Sequence, residues 1–406
     1  MTIEKGKDVE TRARWIITLL LLALMSRVGA ALAVGGGFHF SDEATYVDAA
    51  RRLSDGGGFD VEYRNVPAYP VFLALLSLGL EVDLTFLRVA QGAVAAFGSV
   101  AVFALADRMF GQRVAIAAGL VYALDPLLVV SSALLYPETI AALLIPLVVF
   151  AALDAVARDA LGRSALAGAL LGILALLRPV ALVLLPVVAG WTMLMVAAHP
   201  ARRMAHLGAL GLTFLLVLTP WSIRGIRVHG HLVPIATAGT QAAPAGGDES
   251  AGRGLVMSMV QWAWAEPGAL VSRVSREFVK FWELAPTRLA TDEPAKREEF
   301  HRRDPRLSVQ PLFSRGLRDR VSAASFGLEL ALALVGLVAA IRARWRLTLL
   351  PVALILTYAM GYALFVAKVR YRIPVLPLVF LLTGAGASAI LTLAGGTGRR
   401  EKAELP

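Results

Sequence analysis

Two adjacent carboxylates, Asp42 and Glu43, stand in the stretch "FHFSDEATYVDAARRLSDGGG", directly behind the first long apolar run of the chain. Such a pair has two physical uses. Ser41 is a good N-cap, and acidic residues in a first helical turn complement the helix dipole. The same environment keeps a carboxylate ionised, so it can serve as a general base toward a bound hydroxyl. An acidic pair is also a candidate site for a divalent cation. Glu138, in "LLYPETIAALL", opens another helix behind Pro137 and complements its dipole in the same way. Other chemistries are excluded or weak. The chain has no cysteine, which removes thiolate metal sites and disulfides. His39, His229 and His231 show no metal-ligand spacing, and neither a Walker A nor a G-x-S-x-G motif occurs.

The cations are as informative as the acids. Arg64, Arg178 in "LALLRPVAL", Arg224 and Arg227 behind "TPW", and Lys368, Arg370 and Arg372 in "KVRYR" all sit where apolar runs end. One such residue simply snorkels to lipid headgroups. Several on one face, beside Asp42 and Glu43, suit a phosphate held at headgroup depth. Tyr371 adds an aromatic ring and a phenolic donor between two guanidinium groups.

These residues must be positioned by membrane helices. Of the 406 residues, 57% are hydrophobic and only 17% charged, with a mean hydropathy of +0.66. Soluble domains are about a quarter charged. The apolar residues come in long blocks, so the expected class is an all-α polytopic membrane protein. The net charge of +10 does not call for nucleic acid, because Lys and Arg collect in cytoplasmic loops of membrane proteins. Ten spans are expected, at 15–34, 84–106, 113–134, 137–157, 164–180, 181–198, 205–222, 322–341, 346–366 and 373–394. The first reads as an uncleaved helix, since its leader carries Glu4, Asp8 and Glu10 and the run is long enough to span. Alternate connections rich in Arg then fall on the cytoplasmic side, with both termini. Residues 1–398 form one membrane domain with outer loops 35–83 and 223–320, and 399–406 a cytoplasmic tail. The first loop reads as a short helix at 42–54 and an interfacial helix at 66–80; the second holds a helical stretch at 256–283 and a charged one at 293–306.

Taken in order, "SDEATYVDAARRL", "RNVPAYPVFLALL", "ADRMFGQRVAIAAGLVYALDPLL", "YPETIAALLIPL", "LALLRPVAL", "LTPWSIRGIRVHGHLVPIAT" and "KVRYRIPVLPLV" resemble the polyprenyl-phosphate-dependent glycosyltransferases of the GT-C superfamily. The likeness is to bacterial members related to protein O-mannosyltransferases and to the lipid A aminoarabinose transferase. It implies a GT-C fold whose first outer loop forms two helices along the membrane surface. It also implies that the acid opening that loop, here Asp42, is the catalytic base, with Glu43 beside it in the family's paired-acid pattern; both are catalytic candidates whose division of work stays open, with Glu43 expected to bind substrate or an ion. By the same likeness Glu138 lines the sugar or acceptor pocket, and Arg178, Lys368, Arg370, Tyr371 and Arg372 approach the lipid phosphate. Arg224 and Tyr69 join them as substrate-binding candidates. The family's basic residue just ahead of the surface-helix proline is missing: Asn65 and Val66 precede Pro67, and Arg64 is the nearest cation.

The expected reaction is an inverting transfer from a polyprenyl-phosphate sugar to a protein, lipid or glycan acceptor outside the cytoplasm, in the bacterial plasma (inner) membrane. Guanidinium groups can carry the phosphate charge, so no cofactor is required, with a divalent cation near Asp42 and Glu43 as an option. Membrane lipids are partners; nucleic acid is not. A transporter or lipid flippase is the alternative, although its ionisable groups would gather at midplane between repeats. An O-antigen ligase or polymerase is another, kept open by His229, His231 and His301.

Overall fold

The computed structural model describes residues 2–61, 63, 65–77, 83–197, 199–229, 264–286 and 293–401. Among them the architecture is helical, with a single isolated bridge and no strand element. In chain order the α-helices are α1 (Thr2–Val34), α2 (Ser41–Ser54), α3 (Ala68–Ser77), α4 (Leu84–Phe110), α5 (Gln112–Leu124), α6 (Pro126–Ala133) and α7 (Pro137–Arg158). They continue as α8 (Leu161–Leu177), α9 (Leu184–Met195), α10 (Pro200–His229), α11 (Pro267–Phe281), α12 (Pro294–Arg303), α13 (Arg315–Ala363) and α14 (Leu376–Glu401). Short 3-10 helices at Pro179–Val183 and Val369–Val375 lead into α9 and α14. The surface helices expected at 42–54 and 66–80 are α2 and α3, with 78–80 outside the described residues. Of the helical stretch expected at 256–283, residues 256–263 are likewise outside, and α11 is the described part.

Among the described residues six helices are long and apolar enough to cross a membrane, or seven if the bent pair α5–α6 counts as one span. The ten expected spans are therefore not all separate helices of that length. The run at 164–180 is the 17-residue α8, and that at 181–198 is a 3-10 turn leading into the 12-residue α9. Pro179 sets this division: the residue before a proline is driven out of the α region, and Arg178 has φ −147°. The run at 322–341 and residues 346–363 of the run at 346–366 lie in the 49-residue α13, which is interrupted at Arg344 (φ −150°, ψ 58°).

The 47° bend between α5 and α6 has an identifiable chemistry. Pro126 has no N–H to offer the carbonyl of Tyr122 one turn back. In a membrane such a carbonyl must be satisfied from within the protein. Arg27 of α1, 1% exposed, donates to it at 3.0 Å and to Ala123 O at 3.3 Å, and Ser26 Oγ adds a bond to Ala123 O at 2.8 Å. Asp125 then starts α6 by accepting from Leu128 N at 2.8 Å.

α13 and α14 pack through glycines. A Cβ on Gly336 would lie 1.8 Å from Leu382 O, and one on Gly386 2.0 Å from Leu332 O. Small residues allow this backbone approach, which is a main source of helix association in lipid. At one end of the bundle the segment behind α12 is tied to α2. Ser308 N donates to Phe38 O at 2.7 Å beside the Phe38–Leu307 bridge, and Arg306 holds Asp48 through two bonds of 2.8 and 2.9 Å.

Two outcomes test this packing. Gly336→Val should abolish a monodisperse detergent-solubilised species, because the approach of α13 to α14 leaves no room for a side chain; wild-type melting of that variant would contradict it. Hydrogen bonds from Arg306 hold the Asp304 carboxyl below its usual range. A depressed acid stabilises above its unfolded pKa and loses that contribution as pH falls through the folded value. Limited proteolysis within residues 293–314 should therefore accelerate on acidification below about pH 4, and Arg306→Ala should show the faster rate already at neutral pH.

Candidate active site

At the end of the bundle that carries α2 lies a cavity of about 880 Å³. Asp42, Tyr136, Glu138, Lys368 and Arg370 line its polar end; Pro126, Leu127, Val130, Leu134 and Ile373 form an apolar wall. Phe300, Leu307, Leu312 and Phe313, from the segment tied to α2, cover it.

The polar end is a row of alternating charges. Arg370 Nη2 lies 2.7 Å from Asp42 Oδ2, and Arg370 Nε lies 3.6 Å from Glu138 Oε1. Arg178 pairs with the same Glu138 oxygen. The guanidinium of Arg370 sits 4.6 Å from the ring centre of Tyr136 and 5.3 Å from that of Tyr371, and Arg178 is 5.5 Å from Tyr371. Tyr371 is itself stacked on Tyr362 at 4.5 Å. The backbone explains these positions: Glu138 is in the first turn of α7 behind Pro137, and Arg178 precedes Pro179. Lys368 is extended (φ −136°, ψ 151°) just ahead of the 3-10 helix that carries Arg370. Asp42 keeps 45% of its side chain exposed, whereas Glu138 keeps 1%.

Glu43 is placed differently from its neighbour. Its side chain is fully buried and is not among the residues lining the cavity. Oε1 accepts from Arg88 Nη2 at 2.9 Å and from Leu135 N at 3.0 Å; Oε2 accepts from His39 N at 2.7 Å and Phe40 N at 3.1 Å. Arg88, also fully buried, donates further to the carbonyls of Gly35, Gly37 and Ala133. With both oxygens of Glu43 engaged, the expectation that it handles substrate or an ion beside Asp42 does not fit this geometry. Nor is Ser41 the N-cap of α2. That position is Phe40, whose N–H is met by the Glu43 side chain reaching back from N3.

The divalent-cation option fares similarly. Among the described residues no group of three or more His, Cys, Asp or Glu gathers where an ion could be held, and Asp42 faces a guanidinium.

Other candidates lie off the cavity lining. Tyr69 is buried and donates to Gln91 Oε1 at 2.5 Å. Arg224 rests on Trp221 at 4.6 Å and donates to Asp60 O. Arg372, fully buried, lies 3.6 Å over Phe326 and donates to Glu283 O. Arg64 is outside the described residues. His301 gives Nδ1 to Leu307 O at 2.7 Å, which anchors the cover. Two residues of this region escaped the sequence reading. Arg88 carried a usable signal, a cation inside an apolar span. Tyr136 carried only its place before Pro137-Glu138. Burial raises the Tyr136 phenol well above its usual pKa, with Arg370 opposing, so it stays neutral at physiological pH.

Comparison with known proteins bears on the fold. Residues 65–223 match the family model described as dolichyl-phosphate-mannose-protein mannosyltransferase. The crystal structure of the Archaeoglobus fulgidus oligosaccharyltransferase in the apo form superposes with a TM-score of 0.58 at 12% identity, covering 96% of this chain and 52% of that one. The chain has the GT-C fold. The GT-C type of fold expected from the sequence motifs thus holds. The Archaeoglobus fulgidus oligosaccharyltransferase AglB in complex with an inhibitory peptide and a dolichol-phosphate superposes at 0.51 with 13% identity, again over 96% and 52%. ArnT from Cupriavidus metallidurans bound to undecaprenyl phosphate gives 0.43 at 14% identity, over 97% and 81%. The chain spans about half the length of the oligosaccharyltransferase. No curated protein sequence is significantly similar to it.

The adjacent acids should respond oppositely to substitution. Glu43→Ala leaves the buried Arg88 charge unpaired, a loss of about 3–5 kcal/mol that scanning fluorimetry should register as a collapse of melting temperature. Asp42→Asn breaks only a half-exposed pair, worth about 0–1 kcal/mol, and should melt close to wild type. The reverse order would refute the assignment of burial to Glu43.

Proposed function

We propose that this protein is an integral-membrane glycosyltransferase that moves a sugar from a polyprenyl-phosphate donor to an acceptor hydroxyl on a protein, lipid or glycan. The observation that carries the reading is the Asp42–Arg370–Glu138–Arg178 row opening into a cavity with an apolar wall. The apolar wall suits a polyprenyl chain, and Arg370 with Lys368 suits its phosphate. The oligosaccharyltransferase complex with dolichol-phosphate and a peptide supports a site of the same kind.

The step is an inverting single displacement. When the donor phosphate engages Arg370, Asp42 is released from its ion pair. Its carboxylate accepts the proton of the acceptor hydroxyl while that oxygen bonds to the anomeric carbon from the face opposite the phosphate. The anomeric C–O bond to phosphate breaks, its electron pair stays on the phosphate oxygen, and Arg370 and Lys368 stabilise the charge that builds there. Glu43 and Arg88 act by holding the start of α2, so that Asp42 stays aimed at the cavity. The site faces the extracytoplasmic side of a bacterial plasma membrane with both termini in the cytoplasm; the Arg-rich alternate connections support this orientation. Against a transporter stands the gathering of the ionisable row at one end of the bundle rather than at midplane.

Asp42→Asn in reconstituted vesicles should lower sugar transfer from radiolabelled undecaprenyl-phosphate sugars by about 10²–10⁴-fold, while the protein remains in the membrane at wild-type level. Transfer within a few-fold of wild type would overturn the role of Asp42.

A further inference from the structure

Tyr136 stands between α6 and α7, extended (φ −128°, ψ 144°) as the residue before Pro137 must be. It is 5% exposed and lines the cavity, yet its phenolic oxygen is buried without a hydrogen-bond partner. Buried hydroxyls are normally paired, and an orphan calls for an explanation. The ring cannot swing away to find a partner, because Phe40 packs on it at 5.8 Å and the Arg370 guanidinium lies over it at 4.6 Å. Beside it, Glu138 is fully buried; its Oε1 has Arg178 and Arg370 as ion-pair neighbours, and neither carboxylate oxygen has a hydrogen bond of good geometry. A phenol and a carboxylate with unused hydrogen-bonding capacity therefore share one cavity wall with Asp42.

This inference rests on the transferase reading above. In that reading the group lying between the phosphate on Arg370 and the base Asp42 is the sugar in transit. The geometry points to Tyr136 as a specificity-determining residue that hydrogen-bonds a hydroxyl of the transferred sugar, together with Glu138. The neutral phenol can donate to a sugar oxygen or accept from a sugar hydroxyl, and Glu138 only accepts. A site built around such bonds rejects analogues that lack the matching hydroxyl, because its own buried groups are then left unpaired. The Tyr136 ring has a separate task in supporting Arg370, and Tyr136→Phe keeps the ring while deleting only the hydroxyl.

The experiment uses the full-length protein in vesicles with three probes: bare undecaprenyl phosphate, the undecaprenyl-phosphate sugar that wild type binds best, and the singly deoxygenated analogues of that sugar. Tyr136→Phe should bind the bare lipid phosphate like wild type. It should lose roughly tenfold to a hundredfold in affinity and in kcat/KM for the sugar-bearing donor. Its discrimination against one deoxygenated analogue should collapse toward unity, whereas wild type discriminates. Tyr136→Ala, which also removes the support of Arg370, should weaken the bare lipid as well. Unchanged discrimination in Tyr136→Phe, or an equal loss for the bare lipid and the sugar-bearing donor, would overturn the inference. The binding arm separates this idea from its parent. If wild type prefers the sugar-bearing lipid through Tyr136 but transfers nothing, the transferase reading fails and the Tyr136 subsite stands. If wild type transfers sugar and Tyr136→Phe is indistinguishable from it, only the Tyr136 subsite fails.

Discussion

The buried ion pair between Glu43 and Arg88 is the constraint on which this end of the molecule depends. Three stretches of irregular backbone meet there: the exit from α1, the entry to α2 and the link from α6 to α7. Irregular backbone at membrane depth survives only where the protein itself satisfies it. Arg88 takes the carbonyls of Gly35, Gly37 and Ala133, and Glu43 takes the N–H groups of His39, Phe40 and Leu135. A buried ion pair is weak evidence for stability, because desolvation offsets much of the attraction. Here it sets register. It fixes where α2 begins, hence where Asp42 points, and it fixes Leu135, hence where the next residue, Tyr136, enters the cavity wall.

Prolines supply the other half of the positioning. Pro126, Pro137 and Pro179 each follow a polar residue that the fold uses: Asp125, Tyr136 and Arg178. A proline disfavours α conformation in its predecessor and offers no N–H to the turn before. Each extends the preceding residue and starts a new helical segment, and Pro126 and Pro179 also directly follow the end of a helix. Arg27 answers the carbonyl freed by Pro126, which keeps the α5–α6 bend and with it the apolar wall of the cavity. The breaks in the helices and the chemistry of the site have one origin.

The alternating row of charges explains how a guanidinium-rich site can wait in lipid without substrate. Two arginines and two carboxylates balance each other, so no net charge is stranded. In the proposed reaction an incoming phosphate would compete for Arg370 and displace Asp42, the most exposed acid of the row, which would uncover the proposed base once the leaving group is in place.

The sequence by itself determined most of the helical segments, the membrane class, the GT-C likeness, and the presence of Asp42, Glu138 and Arg370 at helix starts and ends. Hydropathy, proline and N-terminal acids are local signals, and they survive folding. It could not decide between neighbours. Asp42 and Glu43 are about 100° apart on a helix, so burying one exposes the other. Which one is buried depends on Arg88, 45 residues away. Arg370 and Arg372 are two residues apart in a 3-10 helix and point in different directions, one to the cavity and one onto Phe326. The separation of spans was equally undecided, since α13 carries two apolar runs through one helix with a break at Arg344. Tertiary packing made each of these choices, because each turns on which distant backbone groups need a partner in a medium that supplies none.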